Sequence, residues 1–94
     1  MVSEKVIVVN PNGIHMKPAG YLCNLALEFQ ARVLLRIDEK EVNAKSILGI
    51  LSACIKAEDE VEIICNGADE KSALNAIIKG FKEGLGEDLS DLTS

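Results

Sequence analysis

The chain has 94 residues, room for one domain around a single core, and 48% of them are hydrophobic. A formal net charge of −5, with Phe29, Phe81 and Tyr21 as the only aromatic residues, weighs against a nucleic-acid partner, which asks for a basic face and stacking rings. Three cysteines, an odd number, include no CxxC pair and have one histidine to assist them, so no metal or cofactor site is expected.

Lys5 to Val9 predicts a strand, because Val6-Ile7-Val8-Val9 is β-branched throughout and too short for a buried helix. Asn10-Pro11-Asn12-Gly13 breaks it with consecutive turn formers. A helix follows, with Pro18 in its first turn and Ala19, Leu22, Ala26 and Phe29 at helical spacing. Arg32 to Ile37 predicts a second strand, and Asp38-Glu39-Lys40 turns it into a third around Glu41 to Ala44. Ser46 can cap a short helix over Ile47 to Ala53. Glu60 to Asn66 alternates acidic and apolar residues as a half-exposed strand does. Asp69 can cap a last helix whose face is Leu74, Ile77, Ile78, Phe81 and Leu85, ended by Gly84 and Gly86.

The order β-α-β-β-α-β-α with short connections predicts an α+β open-faced sandwich, a four-stranded antiparallel sheet with three helices on one face. One domain is expected over residues 1–86, followed by an acidic and mobile tail over 87–94. Cys23, Cys54 and Cys65 each sit in an apolar run, as buried reduced thiols do. The N-terminus lacks a signal-peptide layout, and no apolar run approaches the roughly 20 residues that cross a bilayer. A cytoplasmic home without membrane insertion is therefore expected.

The stretch that can carry chemistry is Asn12-Gly13-Ile14-His15-Met16-Lys17-Pro18-Ala19. A lone histidine is most often structural, but His15 falls between a glycine turn and a helix start, where unpaired N–H groups and the helix dipole favour an anion. The amides of Met16 and Lys17 form the phosphate-binding helix start, and the Lys17 ammonium adds a full charge. A neutral imidazole there can attack phosphorus, and the resulting phosphate can rest on the amides. Taken singly, Lys17 reads as an ordinary solvated lysine, Pro18 as a helix-start proline and Ser46 as a cap. Ile47, Leu48, Ile50, Leu51 and Ala53 put apolar groups on more faces than a two-turn surface helix can bury, so Ile47, Leu48 and Leu51 are candidate docking residues.

Asn12-Gly13-Ile14-His15-x-Lys17-Pro18-Ala19 resembles the active-site motif of the HPr family, the histidine-containing phosphocarriers of the bacterial phosphoenolpyruvate-dependent sugar phosphotransferase system. Ala44-Lys45-Ser46-Ile47-Leu48-Gly49-Ile50-Leu51 resembles that family's regulatory serine and the helix it caps. The resemblance runs over nearly the whole chain and stops at the acidic tail. It implies that His15 takes a phosphoryl group from enzyme I on the ring nitrogen facing the helix start and passes it to sugar-specific IIA domains. It further implies Ser46 as the target of a kinase/phosphorylase, with a catabolite regulator as a further partner. The carrier is not itself an enzyme in that scheme.

Three features depart from the family pattern. Lys17 stands where arginine is usual, Ser52-Ala53-Cys54 replaces a segment that commonly holds a helix-ending glycine, and the acidic tail is longer. Two other functions are compatible with the chain: an HPr-like regulatory protein acting through Ser46, and a ferredoxin-like ligand-binding domain.

Overall fold

The computed structural model describes residues 1–87. Its elements run β1 (Val2–Ile7), α1 (Met16–Leu27), β2 (Arg32–Ile37), β3 (Lys40–Asn43), α2 (Ile47–Ser52), β4 (Glu60–Asn66) and α3 (Glu70–Lys82). The strands form one antiparallel sheet in the order β1-β4-β2-β3. This is the expected open-faced sandwich.

The register explains the two faces. Val33 pairs with Cys65 and Leu35 with Ile63, and all four side chains enter the core under the helices. One residue along, Arg36 pairs with Glu62 on the other face, where its guanidinium reaches Glu41 at 2.9 Å and Glu62 at 3.3 Å. The period of two thus separates an apolar face from a charged one. Leu22, Ala26, Ile50, Ile77 and Phe81 from the three helices complete a single core with the inward strand residues. Among the described residues no helix is long and apolar enough to cross a membrane.

Several boundaries differ from the sequence expectation. β1 begins at Val2, because Val2, Ser3 and Glu4 pair with Cys65, Ile64 and Ile63 of β4, and ladder pairing outweighs local β-propensity. Val8 continues beyond the ladder, bonded through its N–H to Asp59 and through its C=O to Glu58. β3 starts and ends one residue earlier than expected, and α2 ends at Ser52 with Ala53 as its C-cap. α3 ends at Lys82, so Leu85 is not on its face. The chain instead turns back at Gly84 (φ 89°) and Leu85 (φ 50°), and the Leu85 N–H donates to Gly80 at 2.9 Å while its side chain stays buried.

Asp69 is the N-cap residue of α3 but does not cap it with its side chain. The carboxylate accepts from the amides of Gln30 at 2.9 Å and Ala31 at 2.8 Å, beyond the end of α1. These bonds hold the Asp69 carboxyl below the usual carboxylate range, the Gln30 amide most strongly and the Ala31 amide after it, against a partial desolvation. Cys23 and Cys65 are buried as expected, and burial pushes the Cys65 thiol up, which keeps it protonated and inert. Cys54 is exposed, contrary to expectation. It follows α2 in the left-handed region (φ 52°), at the position where a helix-ending glycine is favoured, so its side chain projects away from the core.

Candidate phosphoryl site

The site begins with the turn that ends the first strand segment. The Gly13 N–H donates to the Asn10 carbonyl at 3.0 Å and closes Asn10-Pro11-Asn12-Gly13. Gly13 has φ 68°, and a Cβ there would lie 2.5 Å from the Ile55 carbonyl oxygen, so this turn requires glycine. Next, the Ile14 N–H donates to that same Ile55 carbonyl at 3.0 Å, and the Ile14 side chain is buried. The loop before α1 is thereby braced on the segment that follows α2.

His15 is the N-cap of α1, with extended backbone and its carbonyl accepting from Ala19 at 2.9 Å. Its ring makes no capping bond to the helix, and no acidic residue lies in the first turn. Pro18 has no N–H to satisfy, so the free donors of this turn are the amides of Met16 and Lys17, which have no partner among the described residues. The His15 side chain is 45% exposed, and Met16 and Lys17 are exposed beside it. Lys17 makes no ion pair among the described residues. Together these groups can seat a tetrahedral anion against the helix start, with an imidazole next to it.

Two residues join the site that the sequence does not announce. His15 Nε2 lies 3.0 Å from Glu87 Oε2, and the Glu87 side chain is only 7% exposed. Asn10, fully buried, donates through Nδ2 to Glu87 Oε1 at 2.7 Å and to the Gly84 carbonyl at 2.8 Å. Its Oδ1 has no partner among the described residues. The setting of His15 is therefore mixed in charge rather than uniformly positive. The expected tail over 87–94 falls outside the described residues except for Glu87, which packs at this site. Asn10 reads as a turn former and Glu87 as one of several terminal acids, and no local spacing couples residues so far apart in the chain.

The second motif forms a separate site. Ser46 Oγ accepts from the Gly49 amide at 3.0 Å and caps α2, as expected. Of the candidate docking residues, Leu48 is 80% exposed, while Ile47 and Leu51 are partly buried against the core. Ile47, Ile50 and Leu51 share one face of the helix at i, i+3 and i+4, and that face turns inward, leaving Leu48 on the outer side. A polar concavity lined by Lys5, Arg36, Glu60 and Glu62 lies on the outer face of the sheet and does not include His15.

Comparison with known proteins agrees with these features. Residues 2–83 match the family described as the PTS HPr component phosphorylation site. The chain is 35% identical over 88 residues to phosphocarrier protein HPr of Treponema pallidum (strain Nichols), covering 94% of this chain and all of that one. The crystal structure of HPr-C-His from Thermoanaerobacter tengcongensis superposes with a TM-score of 0.89 at 31% identity, covering 94% of this chain and 99% of that chain. The Bacillus subtilis catabolite repression protein Crh, seen as a swapped dimer, gives 0.73 at 36% identity, covering 93% of this chain and 100% of that chain. With its fold, its helix-start histidine and these likenesses taken together, the chain belongs to the HPr family of phosphocarrier proteins.

Proposed function

We propose that His15 accepts a phosphoryl group from enzyme I, itself charged from phosphoenolpyruvate, and delivers it to sugar-specific IIA domains. The observation that carries this is the start of α1, which has no side-chain cap and whose amides at Met16 and Lys17 have no partner among the described residues, with the Lys17 charge and the chain's one histidine beside them. The ring supplies the nucleophile, and the amides and ammonium stabilise charge on the transferred group's oxygens. Partners reach the half-exposed ring directly, with Met16 and Leu48 as exposed apolar contacts. The test is incubation with enzyme I, Mg²⁺ and phosphoenolpyruvate, followed by intact mass before and after acid. One acid-labile phosphoryl group, absent in His15→Ala, is expected. Normal labelling of the alanine variant would sink the carrier assignment.

Likeness to Crh favours a second, regulatory role through Ser46. A phosphate there sits at a helix N-terminus, so it leaves the fold intact. It also places a charge of about −2 beside Leu48, which opposes apolar docking. A HPr kinase/phosphorylase would add it and a catabolite regulator would read it. Labelling of Ser46 that survives acid, in an extract containing such a kinase, is the supporting result.

A further inference from the structure

We propose that Glu87, held by Asn10, is a positioning residue for His15: it takes the ring proton at Nε2 and so fixes the tautomer whose Nδ1 lone pair is free for the transfer. This rests on the phosphocarrier role above and adds the group that selects the ring tautomer.

A neutral imidazole has one N–H and one lone pair, and a carboxylate oxygen can only accept. With Glu87 Oε2 at 3.0 Å, the proton of the neutral ring belongs on Nε2. Nδ1 is the ring's other nitrogen; the side chain makes no capping bond to α1, and Nδ1 has no hydrogen-bond partner among the described residues.

Asn10 fixes the carboxylate in turn. Its Nδ2 faces two acceptors, the Gly84 carbonyl and Glu87 Oε1, so the orientation of its amide is set by its partners. That arrangement leaves Oδ1 buried without a partner among the described residues. A buried unpaired acceptor is costly, and this one accompanies a hydrogen-bonded line from Gly84 through Asn10 and Glu87 to the reactive ring.

The step balances without proton movement across the ring. The Nδ1 lone pair attacks phosphorus, the N–P bond forms, and the donor's bond to phosphorus breaks with its electron pair staying on the donor atom. The ring becomes cationic while its Nε2–H remains on Glu87, whose carboxylate offsets that charge. Attack by an acceptor returns the N–P pair to Nδ1.

Glu87→Gln separates this from a purely structural tie. Asn10 donates, so the Gln carbonyl must face Asn10, which turns the Gln NH₂ toward His15 Nε2. Nε2 must then accept, and the proton moves to Nδ1. Glu87→Ala only removes the partner, and Asn10→Ala combined with Glu87→Gln frees the Gln to turn its carbonyl to His15.

Nitrogen-15 spectra of the single histidine, at a pH where the ring is neutral, report the tautomer. Single-turnover transfer from phosphorylated enzyme I reports the chemistry, and a thermal melt checks each fold. The parent should show protonated Nε2 and unprotonated Nδ1. Glu87→Gln should reverse this and slow transfer by about ten- to a hundredfold. Glu87→Ala should keep protonated Nε2 and slow transfer less, and the double variant should recover the parent tautomer. Glu87→Gln and Glu87→Ala lose the same negative charge, so the additional slowing in Glu87→Gln is not a charge effect. A parent ring protonated at Nδ1, or a Glu87→Gln ring unchanged, overturns the positioning role whatever the rate. Reversed protonation with an undiminished rate overturns the role of Nδ1. Reversed protonation in a protein that enzyme I never labels supports the positioning contact and fails the phosphocarrier role instead.

Discussion

Past its last turn, α1 is tied down by two other segments of the chain, whereas its first turn is left without a side-chain cap. At the C-terminal end, Asp69 accepts from Gln30 and Ala31, Lys45 Nζ donates to the Phe29 carbonyl at 2.6 Å, and Gly67 lies so close to Ala31 that a Cβ would meet its Cα at 2.6 Å. At the N-terminal end, His15 is half exposed and the next amides are open. One end satisfies its polar groups with protein, and the other holds them in reserve for a ligand. The difference places stability at one end of a single helix and the proposed phosphoryl transfer at the other, only 12 helical residues away.

The largest effects should come from crossing the two ends. His15→Ala should remove all transfer and leave the melting temperature nearly unchanged, because the half-exposed ring caps nothing and its one hydrogen bond among the described residues is to Glu87. Asp69→Ala does the reverse: the melting temperature falls by several degrees while the transfer rate per folded molecule stays at the parent value. Paired melts and single-turnover assays on both variants check this, and one variant that moved both readouts would show that the ends are coupled.

The same carboxyl gives a pH signature. The native Asp69 carboxyl lies below its unfolded value of about 3.9, so its contribution is fully present above that value and is lost as pH falls through the lower native one. Glu70, lowered by the N-terminal ammonium and the Gly67 amide, adds in the same direction. Denaturant titrations from about pH 6 to about pH 2 should show a shallower acid-side loss in Asp69→Ala than in the parent.

Next in size is Lys17. An ammonium is a hydrated point charge where a guanidinium would offer a planar fork. A hydrogen bond to a charged group is worth about 1.5–3 kcal/mol, so Lys17→Ala should slow transfer at least about tenfold, and Lys17→Arg should keep or raise the rate. Stability should hardly move, since Lys17 is exposed and makes no ion pair among the described residues. Transfer at two salt concentrations reads the electrostatic part; an alanine variant as fast as the parent makes Lys17 a bystander.

The smallest effect is expected at a third helix start, one that is closed. Ser46→Ala loses the bond to Gly49 and should cost about 1 kcal/mol, seen as a shifted denaturant midpoint with unchanged slope. Ser46→Asp can still accept that bond, so its stability should lie closer to the parent's.

What could be read from the chain follows how local each cause is. β2 and β4 fall where alternation puts them, over Arg32–Ile37 and Glu60–Asn66, and Ser46 caps α2 three residues from its partner amide. The place of His15 at the start of α1 is legible because a glycine turn and a helix-start proline flank it. Asp69 differs from its sequence expectation because the same residue type serves equally as a local cap or as a distant brace, and only packing against Gln30 decides. β1 begins earlier than local propensity indicates because its first residues depend on partners in β4. Asn10 and Glu87 were illegible for the same reason: the contact between them spans nearly the whole chain.

The proposed seat for the phosphoryl group is finished before the group arrives. The turn at Asn10, the bond from Ile14 to Ile55 and the bond from Ala19 to His15 are already made, so little ordering accompanies phosphorylation. In the proposed relay, a carrier that does not reorganise also sets no trap: the group keeps most of the transfer potential it had on the donor and can leave by the route it entered. Exchange is then reversible at each handover. Direction of flow is set by how much charged donor and empty acceptor surround the carrier, and by nothing stored in its fold.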